Sequence, residues 1–140
     1  MKGDAYDIKP LLDILALEPD LFFSSRLRSL SESMGRSIQI VDSLARFEAE
    51  VVAHRPSLVL IDLGASRIDA PAAVRSAKKQ GVPLIVVFGP HKDLAARAAA
   101  LAAGADRWLT NQNLLTSLTS LLGTSPADPH LRNRAAHDLK

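Results

Sequence analysis

The sequence predicts an α/β domain: a doubly wound, five-stranded parallel sheet of strand order 2-1-3-4-5 with five helices on its two faces. Three observations carry that expectation. Apolar, β-favouring runs alternate five times with segments of helical periodicity. The connections are too short for anything but crossovers, which makes neighbouring strands parallel. The run Ser57-Leu58-Val59-Leu60-Ile61-Asp62-Leu63 stays apolar until it closes on one carboxylate, as a strand buried on both faces does where an open sheet presents its ligand crevice.

The elements follow in order. Residues 1–11 are a polar N-terminal lead-in, and the first strand begins near Asp13 and stops at Glu18-Pro19-Asp20. Pro19 suits a strand-to-helix turn, and the Asp20 carboxylate favours the N-terminus of the helix that follows. In that helix Leu21, Phe22, Phe23, Leu27, Leu30 and Met34 recur at spacings of three and four, which predicts one buried face and a stop at Gly35. Ser37 to Asp42 reads as the second strand. Ser43 then caps a helix through Leu44, Phe47, Val51 and Val52, which Pro56 forbids from continuing into the third strand, Ser57 to Leu63. A small-residue loop, Gly64-Ala65-Ser66, leads to a helix from about Asp69 to Gln80 with Pro71 in its first turn. Val82 to Phe88 is the fourth strand, with Pro83 tolerable only near its start. The alanine-rich segment Asp93 to Ala103 is helical on propensity alone. A short fifth strand, Ala105 to Thr110, and an amphipathic helix, Leu114 to Leu122, opened by Asn113 or Asn111, complete a domain over 12–122. Residues 123–140, with two prolines and little apolar content, read as a flexible tail.

Composition narrows the function classes. A chain of 140 residues, 47% hydrophobic, holds one domain with a real core. The absence of cysteine excludes disulfides, thiolate metal sites and a cysteine nucleophile. No apolar run approaches the roughly 20 residues of a membrane span, and the first residues are too polar and acidic for a signal peptide, so a cytoplasmic protein is expected. The net charge of +2 comes from nearly balanced signs and does not point to nucleic acid. Neither a G-x-G-x-x-G nor a P-loop occurs.

In the 2-1-3-4-5 order the first and third strands are neighbours, so Glu18 and Asp62 meet at one crevice. With these two acids, Pro56-Ser57-Leu58-Val59-Leu60-Ile61-Asp62-Leu63, Gly81-Val82-Pro83-Leu84-Ile85-Val86-Val87 and Gly104-Ala105-Asp106-Arg107-Trp108-Leu109-Thr110 in place, the chain resembles the receiver domain of bacterial two-component response regulators. The resemblance covers about residues 12–122 and implies a flavodoxin-like (CheY-like) fold. In such domains two acids after the first strand and the acceptor aspartate hold Mg²⁺, while a Ser or Thr ending the fourth strand and a Lys after the fifth bind the phosphoryl oxygens. The resemblance places Asp62 as phosphoacceptor, Glu18 as the first acid with Asp20 nearby, Pro19 at the second acid, Phe88 at the hydroxyl position and Asn111 at the lysine position. Phe88 cannot donate a hydrogen bond and Asn111 brings no charge. One such lost donor costs on the order of 3 kcal/mol of transition-state stabilisation. The resemblance therefore implies a degenerate, pseudo-receiver type with Asp62 as a remnant, no catalytic residue and no cofactor, Mg²⁺ on Glu18 and Asp62 being the one metal candidate.

Three readings of function stand at this point. The first is a non-enzymatic signalling module that acts by protein contacts, as a partner or homodimer surface around Trp108, which occupies the place of the receivers' switch aromatic. The second is a conventional receiver phosphorylated on Asp62 by a histidine kinase. The third is a flavodoxin-like fold binding another small ligand at the crevice. The remaining candidates have plain explanations. Lys92, beside His91, is a solvated loop residue or a substitute for the missing lysine. Arg26, Arg28 and Arg36 form a solvated face, and His54, His91, His130 and His137 lack ligand spacing. Arg132, Arg134 and Lys140 accompany no DNA-binding motif.

Overall fold

The computed structural model describes residues 12–65 and 67–123; the expected lead-in and residues 124–140 of the expected tail lie outside the described residues. Five strands, β1 (Ile14–Leu17), β2 (Ile38–Val41), β3 (Leu58–Asp62), β4 (Leu84–Phe88) and β5 (Arg107–Leu109), alternate with five helices, α1 (Leu21–Ser33), α2 (Leu44–His54), α3 (Ala70–Lys79), α4 (Leu94–Ala103) and α5 (Asn111–Gly123). The sheet is parallel throughout and its order is β2-β1-β3-β4-β5, as the sequence predicts.

Successive strand residues point to opposite faces, so the unbroken apolar runs fill two cores at once. On one face Leu15, Leu17, Val59, Ile61, Ile85 and Val87 pack with Phe47, Val51, Val74, Ala77 and Ala100 from α2, α3 and α4. On the other, Ile14, Ala16, Leu60, Val86 and Phe88 pack with Leu27 of α1 and Leu114 and Leu118 of α5. Every residue of β1 is buried. Such a strand has no face for a polar side chain until it ends, which is why Glu18 comes immediately after it.

Caps set most of the helix starts. Asp20 accepts from the Phe22 and Phe23 amides at 2.8 and 3.2 Å, Ser43 from Arg46, Asp69 from Ala72 and Asp93 from Ala96. The last helix opens at Asn111, one of the two positions read from the sequence, and Thr110 before it is the cap, its Oγ1 accepting the Asn113 amide at 3.1 Å. The face expected for α1 also needs correction. Phe23, Leu27, Leu30 and Met34 turn to the core, but Leu21 and Phe22 are 84% and 86% exposed. At 100° per residue those two fall outside the stripe through Phe23 and Leu27. Val52, placed on the buried face of α2 from sequence, is likewise 59% exposed.

Candidate functional site

The carboxyl ends of β1 and β3 open onto a crevice of about 440 Å³, lined by Pro19, Asp20, Asp62, Gly64, Pro90 and Asn111 among others. Leu17 pairs in register with Ile61, so Glu18 and Asp62, each the next residue on, stand side by side. Strand order thus brings together the two acids that the sequence singled out.

Their environments differ. Asp62 is half-buried, and its Oδ1 accepts the Gly64 amide at 2.7 Å. A Cβ on Gly64 would lie 3.2 Å from that oxygen, so a residue without a side chain lets the loop fold back over the carboxylate. Glu18 is 2% exposed. Its Oε2 accepts the Asp20 amide at 2.9 Å, while its Oε1 has no donor facing it. Two ionised carboxylates offer each other only acceptors; a protonated Glu18 supplies the missing donor to Asp62. Burial first, and then this hydrogen bond to Asp62, push the Glu18 carboxyl up to about 9, against the Asp20 amide, which favours the ionised form. Near neutral pH Glu18 therefore keeps its proton.

Phe88 is the register partner of Asp62 on β4. Its ring is fully buried and turns into the core under α1 and α5, where it stacks on Phe23 with ring centroids 5.3 Å apart. The position that the resemblance matches to a receiver's hydroxyl thus holds a buried ring with no hydrogen-bond donor. Asn111 lines the crevice as an exposed amide at the start of α5. His91 and Lys92 are exposed in the turn before α4 and are not part of the crevice wall.

The donor set does not fit the Mg²⁺ site of the receivers. Pro19 offers no ligand atom, one Glu18 oxygen is taken by the Asp20 amide, and Asp20 turns its Oδ1 to the α1 amides. Among the described residues no group of three or more His, Asp or Glu side chains is placed to hold a metal ion.

Trp108 lies on the other side of the sheet, level with Val87, half-buried against the core under α2, α3 and α4. The Arg97 guanidinium covers its ring, with Cζ 4.5 Å from the centroid. The sequence did not reveal this pair, because Arg97 and Trp108 sit on different elements and no local spacing links them. Gly64 was legible only as one of several small loop residues; its position two after the strand-ending acid is the signal that marks its amide as a partner for Asp62. Among the described residues no helix is long and apolar enough to cross a membrane.

Comparison with known proteins agrees with this geometry. No family model matches the chain. It is 33% identical over 100 residues to an uncharacterised 76.5 kDa protein in the phbC 3′ region of Thiocystis violacea, a match covering 69% of this chain and 14% of that protein. It is 25% identical over 100 residues to the KDP operon transcriptional regulatory protein KdpE of Escherichia coli (strain K12), covering 71% of this chain and 44% of the regulator. The chain thus spans less than half the length of either relative. Among solved structures, the CheY-like response regulator receiver domain protein of Methanospirillum hungatei superposes with a TM-score of 0.71 at 18% identity, over 84% of this chain and 98% of that one.

Proposed function

We propose, for a chain that has the fold of response-regulator receiver domains and resembles them in sequence, the role of a signal-transduction module that works through protein contacts without being phosphorylated and without enzymatic activity. Phe88 carries this reading. Phosphoryl transfer to Asp62 needs donors around the incoming oxygens, and the residue in register with Asp62 is a buried ring with no donor. The uncharged Asn111, the ligandless Pro19 and the proton held between Glu18 and Asp62 support the same conclusion. On this reading the Glu18–Asp62 pair is a structural remnant, the face around Trp108 meets the partner, and the module works in the cytoplasm.

One observation favours a second reading, a conventional receiver phosphorylated on Asp62 by a histidine kinase: Asp62 is only half-buried and faces an open crevice. Beryllofluoride with Mg²⁺, which mimics the attached phosphoryl group, separates the two, read by the fluorescence of the single tryptophan and by amide chemical shifts. The expected result is no saturable response. A Mg²⁺-dependent response that disappears in Asp62→Asn establishes the second reading instead.

A further inference from the structure

We propose that the pocket bounded by α1, the end of β2 and the start of α2 binds a small organic carboxylate with an apolar body, its carboxylate held between Arg28 and Arg46. The pocket lies on the β2 side of β1, whereas Asp62 lies on the β3 side, and it depends on neither of the readings above.

Its shape comes from the sheet edge. Because β2 is an edge strand, α1 on one face and α2 on the other flank its carboxyl end, and the space between them is about 400 Å³, enough for a small organic molecule. Leu21, Ser25 and Arg28 stand four and three residues apart, so one face of α1 forms a wall. Ile40 and Val41 complete an apolar lining with Leu21. Leu21 packs into neither core, and a lone exposed leucine is ordinary. This one faces a cavity beside two other aliphatic side chains, which gives the apolar part of a ligand something to cover.

The polar groups select the other end of that ligand. Arg28 enters the wall from α1 and Arg46 from the first turn of α2. Among the described residues neither has a hydrogen-bond or ion-pair partner, whereas Arg36 lies 3.8 Å from Asp13 and Arg97 covers Trp108. A guanidinium is a planar fork that meets a carboxylate in two parallel hydrogen bonds. Ser25 adds a hydroxyl: Ser24 donates its own to the Asp20 carbonyl at 2.6 Å, but Ser25 is uncommitted among the described residues. Two carboxyl groups share the wall. Burial pushes the Glu18 carboxyl up to about 9, so it does not repel an anion near neutral pH, and Asp42 offsets one of the two arginines. One cation in excess suits a monoanion better than a phosphate dianion or a cationic ligand. A bare inorganic anion would leave Leu21, Ile40 and Val41 uncovered.

The test titrates the full chain with phenylacetate, beside phenylacetamide, which lacks the charge, and acetate, which lacks the ring, and follows amide chemical shifts by NMR. Phenylacetate should saturate in the low-millimolar range, as about ten heavy atoms allow, with the largest shifts in residues 21–28 and 40–46. It should bind about tenfold more tightly than either twin. Arg28→Gln and Arg46→Gln should each weaken it about tenfold, and Leu21→Gln about threefold. Arg28→Lys, which keeps the charge and loses the fork, should fall between wild type and Arg28→Gln. All three positions are exposed, and circular dichroism checks that each variant keeps its fold. Four results would overturn the proposal: no saturation by phenylacetate, equal binding of phenylacetamide or acetate, unchanged affinity in both glutamine variants of the arginines, or saturable shifts confined to other residues. Beryllofluoride reads Asp62 and phenylacetate reads Arg28 and Arg46, so this site and the phosphorylation-independent role fail separately.

Discussion

The crevice over β1 and β3 carries the Asp20 and Asp62 carboxylates and no cation in its wall, while Glu18 beside it lines an adjoining pocket with Arg28 and Arg46; the α4 edge of the same sheet contains cations and hardly a free carboxylate. The two regions solve their unbalanced charge by different means. In the crevice the solution is internal, because a buried carboxyl can take up a proton, and Glu18 does so beside Asp62. Along α4 the surrounding side chains are arginine and lysine in contact with water, and only a partner of opposite sign balances them. The β1–β3 crevice is therefore closed on itself and the α4 edge is left open.

The sharpest way to break this contrast is to make the crevice look like that of a working receiver. Phe88→Thr supplies the missing hydroxyl, but it removes a fully buried ring and its stack on Phe23. We expect a loss of about 3 kcal/mol in urea denaturation, from the cavity and the unpartnered hydroxyl together. With Asn111 unchanged, beryllofluoride binding should not appear. A loss below about 1 kcal/mol would mean that the crevice does not depend on the ring and that the contrast is overstated.

The next largest effect concerns the shared proton. The folded Glu18 carboxyl titrates near 9 against an ordinary value of 4.5, so between those values the native state binds more protons than the unfolded chain. Stability therefore falls as pH rises through this window: the full contribution is present below about pH 4.5, and the loss is complete above about pH 9. Glu18→Gln keeps a hydrogen-bonding group and removes the titration. Relative to wild type it should gain about 1–3 kcal/mol between pH 5 and pH 9. A pH profile that is the same in both proteins would show that Glu18 is ionised in the folded state and that the crevice has no internal solution.

How much of this was legible in the sequence depends on whether the deciding interaction is local. The strands were legible because burial on both faces leaves an unbroken apolar run such as Leu58 to Ile61, and the helix starts because Asp20 and Ser43 act within three residues, Pro71 marks a first turn and the alanine run after Asp93 favours helix by itself. The Thr110 cap was missed because β5 is only three residues long, so a residue read as strand is already the cap of α5. Leu21 and Phe22 misled because apolar spacing counts hydrophobic residues whichever way the helix turns them. That Glu18 and Asp62 meet follows from strand order. That they share a proton does not, since it depends on how deeply the folded chain buries Glu18.

The smallest expected effect probes the open side. Arg97 holds its guanidinium over Trp108 without burying its charge, so the contact exists only in the folded molecule yet remains screened by water. Arg97→Ala should cost roughly 0.5 kcal/mol, far less than either crevice substitution. It should also expose the indole, seen as a red shift of its emission and readier quenching by acrylamide. Arg97→Lys separates charge from shape: an ammonium keeps the attraction to the ring but not the flat cover of a guanidinium, so stability should return while the quenching stays high. If neither variant changes the emission, Arg97 is one more solvated cation of the α4 edge, and Trp108 is held by the core beneath it alone.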